Sequence, residues 1–133
     1  MNEDLYQIAE DSGITVDNVN LQKNKALSVR LQDRDYIAIG NMENSAEERT
    51  CLAHELGHCE TGSFYEVGSP LSVRGKAEHR ANKWAMLKCV PKDELKSLLQ
   101  QGYQFYEIAE HFNVTEMFIL KAIEYYFIQG VII

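Results

Sequence analysis

The stretch from Ala53 to His58 carries the residues of this 133-residue chain whose types and spacing could do chemistry. It reads A-H-E-L-G-H, with His54 and His58 four positions apart and Glu55 between them. On a helix, positions i and i+4 lie on one face, so two imidazole nitrogens can reach one ion at the roughly 2.0 to 2.1 Å that zinc prefers. We therefore predict that His54 and His58 are metal ligands.

Glu55 is the candidate general base of this motif. It lies about 100° round the helix from His54 and need not bind the metal, yet it faces the same cleft. Zinc lowers the pKa of a bound water to about 7, so a neighbouring carboxylate can take its proton and later give it to a leaving amine. That combination hydrolyses peptide bonds.

A catalytic zinc site has three protein ligands and one open position, so the motif requires a third ligand from elsewhere. Glu78 follows His58 by 20 positions, enough for a loop to reverse the chain, and lies early in a predicted helix. Asn82, one turn later, could orient a ligand histidine. His79 is the alternative ligand, but consecutive helical positions diverge by about 100° and only one should face the cleft. We favour Glu78.

Hydrophobic periodicity and capping signals predict the elements that must position these residues. Ser45 followed by Glu48 has the form of a capping box, which makes Ser45 the expected N-cap of the motif helix. The predicted elements are a helix over 3–12, a hairpin over 26–40 with its turn at 33–35, a helix over 46–60, an irregular loop over 61–74, and helices over 75–89, 92–100, 104–112 and 115–128. This pattern predicts an α+β domain dominated by helices.

The apolar face of the helix over 75–89 is predicted from residues near helical spacing. These residues are Ala77, Ala81, Trp84, Ala85 and Leu87. We expect this face to pack against the motif helix.

Length and composition set the class of protein. A chain of this size with 45% apolar and 25% charged residues suits one globular domain over 1–133, with the sheet and metal-binding helices in 1–102 and a helical part in 103–133. The 13 basic and 20 acidic residues give a net charge of −7, which disfavours direct nucleic-acid binding. Neither a signal peptide nor an apolar run of about 20 residues is present, so we expect a cytoplasmic protein without a membrane span.

Three further features have both a functional and an ordinary structural explanation. Cys51, one turn before His54, could approach the metal, although inert free thiols are the expected state of all three cysteines. Residues 106–126 have the cadence of a helix-turn-helix, but the second helix has one basic residue, Lys121, which favours a structural or repressor-docking role over DNA reading. The aromatic residues near the C-terminus and the tail over 130–133 could leave an exposed patch for a partner.

The stretches SAEERTCLAHELGHCETGSF and KAEHRANKWAMLKCVPKDEL resemble the ImmA/IrrE family of metallopeptidases, common in phages and integrative elements of bacteria. The resemblance implies a zincin-like, gluzincin-type fold in which His54, His58 and Glu78 hold the metal and Glu55 is catalytic. Asn82 stands where thermolysin-like enzymes have an aspartate behind a ligand histidine. Two histidines and a glutamate suit Zn²⁺, and Mn²⁺ remains an alternative.

The resemblance also implies a partner. Members of the family typically inactivate, by cleavage or otherwise, a helix-turn-helix repressor encoded beside them, so we expect an anti-repressor of a phage or mobile element. The alternative from a different class is a binding module. It binds the repressor without cleaving it, and zinc only holds two of its helices together.

Overall fold

The computed structural model describes residues 2–21 and 25–128, which form six helices and three strands. In chain order these are α1 (Glu3–Asp11), β1 (Thr15–Asn18), β2 (Ala26–Leu31), β3 (Arg34–Ile39), α2 (Ser45–Thr61), α3 (Leu71–Cys89), α4 (Lys92–Gln100), α5 (Phe105–Phe112) and α6 (Glu116–Phe127). The small sheet among these helices confirms the predicted helix-rich α+β class. No helix in the described ranges is both long and apolar enough to cross a membrane.

The sheet has the strand order β1-β3-β2, with β1 parallel and β2 antiparallel to the central strand. The predicted hairpin is confirmed, but its turn lies at Gln32 and Asp33, and Arg34 and Asp35 already belong to β3. Both turn residues have positive φ, 51° and 65°, which matches the right-handed twist of a two-residue hairpin. Strand β1 was not predicted, because four residues are too few to show an alternating pattern.

The N-terminus of α2 differs from the predicted capping box. Asn44 is the N-cap, and its side-chain oxygen accepts from the amide three residues later at 2.9 Å. Ser45 is instead the first helical residue, and its hydroxyl oxygen accepts from Asn113 Nδ2 at 2.8 Å. The Glu48 carboxylate accepts from the Tyr6 hydroxyl at 3.0 Å. The prediction at Ser45 was wrong because segments distant in sequence take both side chains of the expected box.

Helix α3 begins at Leu71, four residues before the predicted start, so the loop after α2 is correspondingly shorter. Pro70 is the N-cap, and its carbonyl accepts hydrogen bonds from the amides of Val73 and Arg74. The alanines at spacing four form a buried face: Ala77, Ala81 and Ala85. Leu87, predicted on that face, is 54% exposed, because it lies about 200° round the helix from Ala85, beside the exposed Lys88.

One hydrophobic cluster joins the sheet to the helices on both halves of the chain. It includes Leu5 of α1, Ile37 of β3, Leu56 of α2 and Ile108 of α5. The C-terminal helices agree with their predicted bounds to within one residue.

The C-terminal aromatic residues divide between core and surface. Phe112 and Phe118 are buried, whereas Phe105 and Tyr106 are about half exposed, at 45% and 55%. The tail over 130–133, which we associated with a patch, lies outside the described residues.

Candidate metal centre

Two helices bring three ligand-type side chains to one point. His54 and His58 lie one turn apart on α2, with their Nε2 atoms 3.2 Å apart. From α3, Glu78 places Oε2 2.7 Å from His54 Nε2 and Oε1 3.4 Å from His58 Nε2. His79 is exposed and its ring lies 6.1 Å from that of Tyr125. Of the two neighbours on α3, Glu78 therefore faces the histidines.

The other ring nitrogen of each histidine already has an acceptor. Asn82 Oδ1 lies 2.8 Å from His54 Nδ1, and the main-chain oxygen of Ser63 lies 2.6 Å from His58 Nδ1. Because carbonyl oxygens only accept hydrogen bonds, the Nδ1 atom of each ring is the donor in these contacts. The Nε2 atom of each ring faces the other histidine and Glu78, and it is the nitrogen left to bind a metal ion.

This arrangement fits a divalent metal ion. Two ring nitrogens and a carboxylate converge within 4.8 Å of one another, and each of these groups can offer a lone pair to a metal ion. Such a group of acceptors is satisfied by a cation placed among them. Two imidazoles and a carboxylate are also a donor set that zinc accepts, with second hydrogen bonds fixing the rings as in established metal sites.

Tyr65, in the loop between α2 and α3, holds the carboxylate of the cluster. Its hydroxyl donates to Glu78 Oε1 at 2.6 Å. Burial alone would raise the pKa of Glu78, but the Tyr65 hydrogen bond and the nearby histidines outweigh it and leave the pKa below its usual value. The same hydrogen bond raises the pKa of Tyr65, so the hydroxyl stays a donor. Nothing in the sequence pattern pointed to Tyr65.

The end of α2 supplies the acceptor for His58. Gly62 caps the helix in the left-handed conformation, with φ of 63°, and the Ser63 amide donates to the His58 carbonyl at 3.0 Å. The reversal turns the Ser63 carbonyl back onto the His58 ring, and Ser63 is only 3% exposed. Sequence reasoning missed Ser63, although a glycine just after a helix signals such a reversal.

Glu55 lines the same cleft but stands outside the three-residue cluster. Its Oε1 atom accepts from the Ser28 hydroxyl of β2 at 2.8 Å. The carboxylate is therefore fixed beside the cluster by a strand that lies 27 residues earlier in the chain. Ser28 was not singled out in the sequence, because nothing local ties it to α2.

The cysteines stay apart from the cluster. Cys51 lines the cleft near His54 but is not one of the three grouped ligands. Burial raises the pKa of Cys59 to about 12 and that of Cys89 to about 11. All three are free thiols. Burial thus disfavours the reactive thiolate form of Cys59 and Cys89.

Fold and site together define a helix-rich, zincin-like α+β domain with a candidate metal triad on two helices. Residues 9–124 match the IrrE N-terminal-like domain of peptidase family M78, and the chain belongs to this family. The membership confirms the resemblance to the ImmA/IrrE metallopeptidases and supports a metallopeptidase-like function. No curated protein sequence matches the chain.

Proposed function

We propose that this protein is a zinc-dependent endopeptidase that inactivates a helix-turn-helix repressor of a phage or mobile element by cleaving it. The observation that carries the proposal is the convergence of His54, His58 and Glu78, with Glu55 held beside them in an open cleft. Family membership supports the reaction class. The repressor substrate is proposed from the family resemblance.

In this proposal His54, His58 and Glu78 hold the metal, and each side chain has a second contact that fixes it. A zinc ion held there would supply a Lewis acid and would lower the pKa of a water molecule bound to it. Glu55 takes the proton from the attacking water and delivers it to the departing amine nitrogen. Ser28 donates to one carboxylate oxygen and leaves the other for the proton.

Among the described residues, β2 is an edge strand that pairs only with β3, and its other edge offers a place for an extended peptide. The Gly40 amide donates to the Lys25 carbonyl at 2.7 Å, and bonded pairs alternate along an antiparallel ladder. Ala26, Ser28 and Arg30 therefore direct their main-chain groups away from β3. Because the start of β2 lines the cleft, a substrate strand that pairs with these groups passes the metal cluster.

The proposed setting follows from the proposed substrate. A bacterial repressor binds its DNA in the cytoplasm, so we propose that the cleavage takes place there. The net charge of −7 makes a protein partner more favourable than direct nucleic-acid contact. The proposed function does not involve a membrane.

The test compares wild-type protein with Glu55→Gln, using the repressor encoded beside the gene as substrate. Glu55→Gln keeps the shape of the side chain but removes the base, so we expect it to retain zinc and to cleave at least about 100-fold more slowly. Glu60→Gln is the matched control, because Glu60 is an exposed glutamate on the same helix. Its carboxylate accepts a hydrogen bond from the Ser12 hydroxyl and not from Ser28. Zinc content is measured in all three proteins.

The outcomes separate the two classes of function. Cleavage by wild type and Glu60→Gln alone, with zinc in every protein, supports the peptidase. Retained cleavage in Glu55→Gln refutes the role of Glu55. Zinc without cleavage, together with a stable repressor complex, favours the non-cleaving binding module.

A further inference from the structure

The cleft at the metal centre has two chemically different ends. Two cavities, of about 460 and 350 Å³, share the residues at their junction, which include His54, Glu55 and Glu78. The larger cavity extends along β2 and under the loop after α2. The smaller one extends toward the start of β2 and α6. A bound peptide would meet a different surface on each side of its reacting bond.

The larger cavity is apolar beyond the junction. Its far wall is formed by Phe64, Tyr65 and Val67. Val67 is fully exposed and Tyr65 is 40% exposed, so both present uncovered apolar surface to the cleft. Among the described residues, no lysine or arginine lines this cavity. This end suits an apolar side chain.

The smaller cavity carries two lysines beyond the junction, and we call that part its basic end. It is lined by Lys25 and Lys121, beside the buried ring of Phe118. Lys25 forms an ion pair with Glu47, whereas no carboxylate of the described residues lies within ion-pair distance of Lys121. In a chain whose net charge is −7, an ammonium group without an ion-pair partner among the described residues, in the cavity beside the metal cluster, is a local departure from the overall charge. It suits a carboxylate of the substrate.

The direction of β2 relates the two ends of the cleft to the N-terminal and C-terminal sides of a bound peptide. The smaller cavity contacts β2 only at its start, through Lys25 and Ala26, while the apolar cavity follows the strand to Val29. Antiparallel pairing is the more stable mode of adding a strand. A peptide antiparallel to β2 runs from the apolar end to the basic end.

We propose that the substrate carries an apolar residue on the N-terminal side of the cleaved bond and an acidic residue on its C-terminal side, and that Lys121 binds the acidic side chain. This specificity rests on the proposed peptidase function. Lys121 is a specificity-determining residue in this assignment, and Phe64, Tyr65 and Val67 form the opposing apolar subsite.

The test uses zinc-loaded full-length protein and peptides that differ only at the two flanking positions: Leu-Glu, Leu-Gln, Leu-Lys and the reversed Glu-Leu. We expect wild type to prefer Leu-Glu over Leu-Gln by about three- to fivefold in kcat/KM, as for a partly exposed charge pair. The preference should shrink when salt rises from about 0.05 to about 0.5 M. In Lys121→Gln the ratio should fall close to one, while Lys96→Gln, on α4 and outside both cavities, keeps it.

A second readout separates this proposal from the peptidase itself. Peptides that carry an N-terminal hydroxamate followed by Glu or Gln bind through zinc without turnover, so their Kd ratio reports the basic subsite directly. Cleavage without charge preference overturns the Lys121 assignment and leaves the peptidase standing. No cleavage, with tighter Glu-hydroxamate binding that depends on Lys121, overturns the peptidase and supports the subsite. Preference for Glu-Leu overturns the strand direction, and absence of both cleavage and hydroxamate binding overturns both proposals.

Discussion

Gly57 of α2 lies directly against the main chain of Ala81 in α3. A Cβ atom at position 57 would lie 2.4 Å from the Ala81 carbonyl oxygen, closer than any real side chain approaches. The two helices meet here with no side chain between them. Because Ala81 sits between Glu78 and Asn82, this contact sets the reach of both residues toward the α2 histidines.

Gly57→Ala should therefore destabilise the protein and disturb the metal cluster. Overpacking of this kind costs about 1 to 3 kcal/mol, which corresponds to a fall in Tm of roughly 5 to 10 °C. Gly75→Ala is the matched control, since no atom lies within 4 Å of the point that its added methyl group would occupy, and alanine favours a helix. Thermal unfolding of the metal-free proteins measures both. Equal Tm values for Gly57→Ala and wild type would contradict the close packing.

Zinc should stabilise the folded protein, because it binds a cluster that only the native chain assembles. At about 100 times its Kd, the metal adds roughly 2.7 kcal/mol, and Tm should rise by about 10 °C. His58→Ala should lose most of this zinc-induced rise. His111→Ala, whose exposed ring pairs with Glu94 on a neighbouring helix, should keep it. A zinc-induced shift of equal size in all three proteins would place the metal elsewhere.

Asn82 should tune metal affinity without touching the metal. Its oxygen accepts from His54 Nδ1 and so fixes the ring that presents Nε2. Asn82→Ala removes the acceptor, and we expect zinc affinity to fall about 10- to 100-fold. Asn82→Asp keeps an acceptor oxygen and should bind zinc at least as well as wild type. Competition with a chromophoric chelator gives the Kd values, and unchanged affinity in Asn82→Ala would remove this role.

Ser28 should act through Glu55. Ser28→Ala removes the hydrogen bond that holds one carboxylate oxygen, and we expect kcat to fall roughly tenfold while zinc content is unchanged. Ser72→Ala, an exposed serine on α3, is the control and should match wild type. Steady-state kinetics on a cleaved peptide measure the change. A rise in KM alone would assign Ser28 to substrate binding instead.

Deprotonation of Tyr6 should make the folded protein less stable at alkaline pH. Burial and the hydrogen bond to Glu48 raise the pKa of Tyr6 to about 12, against 10.0 for a free tyrosine. Above pH 10 the unfolded chain loses this proton and the folded chain keeps it, so the Tyr6 contribution is present below pH 10 and lost between about pH 10 and 12. Tyr6→Phe should show a shallower alkaline fall in urea unfolding experiments. Identical pH profiles would show that Tyr6 does not titrate in this way.

The sequence by itself determined the local helices and the strands of the hairpin. It also determined which face of its helix each candidate metal-binding or catalytic residue occupies. Helical periodicity located α2 and the three C-terminal helices, because the spacing of apolar residues on one face is a property of a continuous segment. The same helical periodicity placed His54 and His58 one turn apart on one face, and it placed Glu78 and His79 on different faces. This spacing predicted zinc chemistry at these positions, and the family resemblance implied the same ligands and the same catalytic glutamate.

Only the tertiary structure decided which side chains support the cluster. Ser28 reaches Glu55 and Tyr65 reaches Glu78 across 27 and 13 positions of sequence, and no local pattern encodes either contact. Strand β1 likewise exists through its pairing with β3. The N-cap at Asn44 displaced the expected box because more distant segments bonded its side chains. These features depend on distances between separate segments, and such distances are fixed when the helices and the sheet pack together.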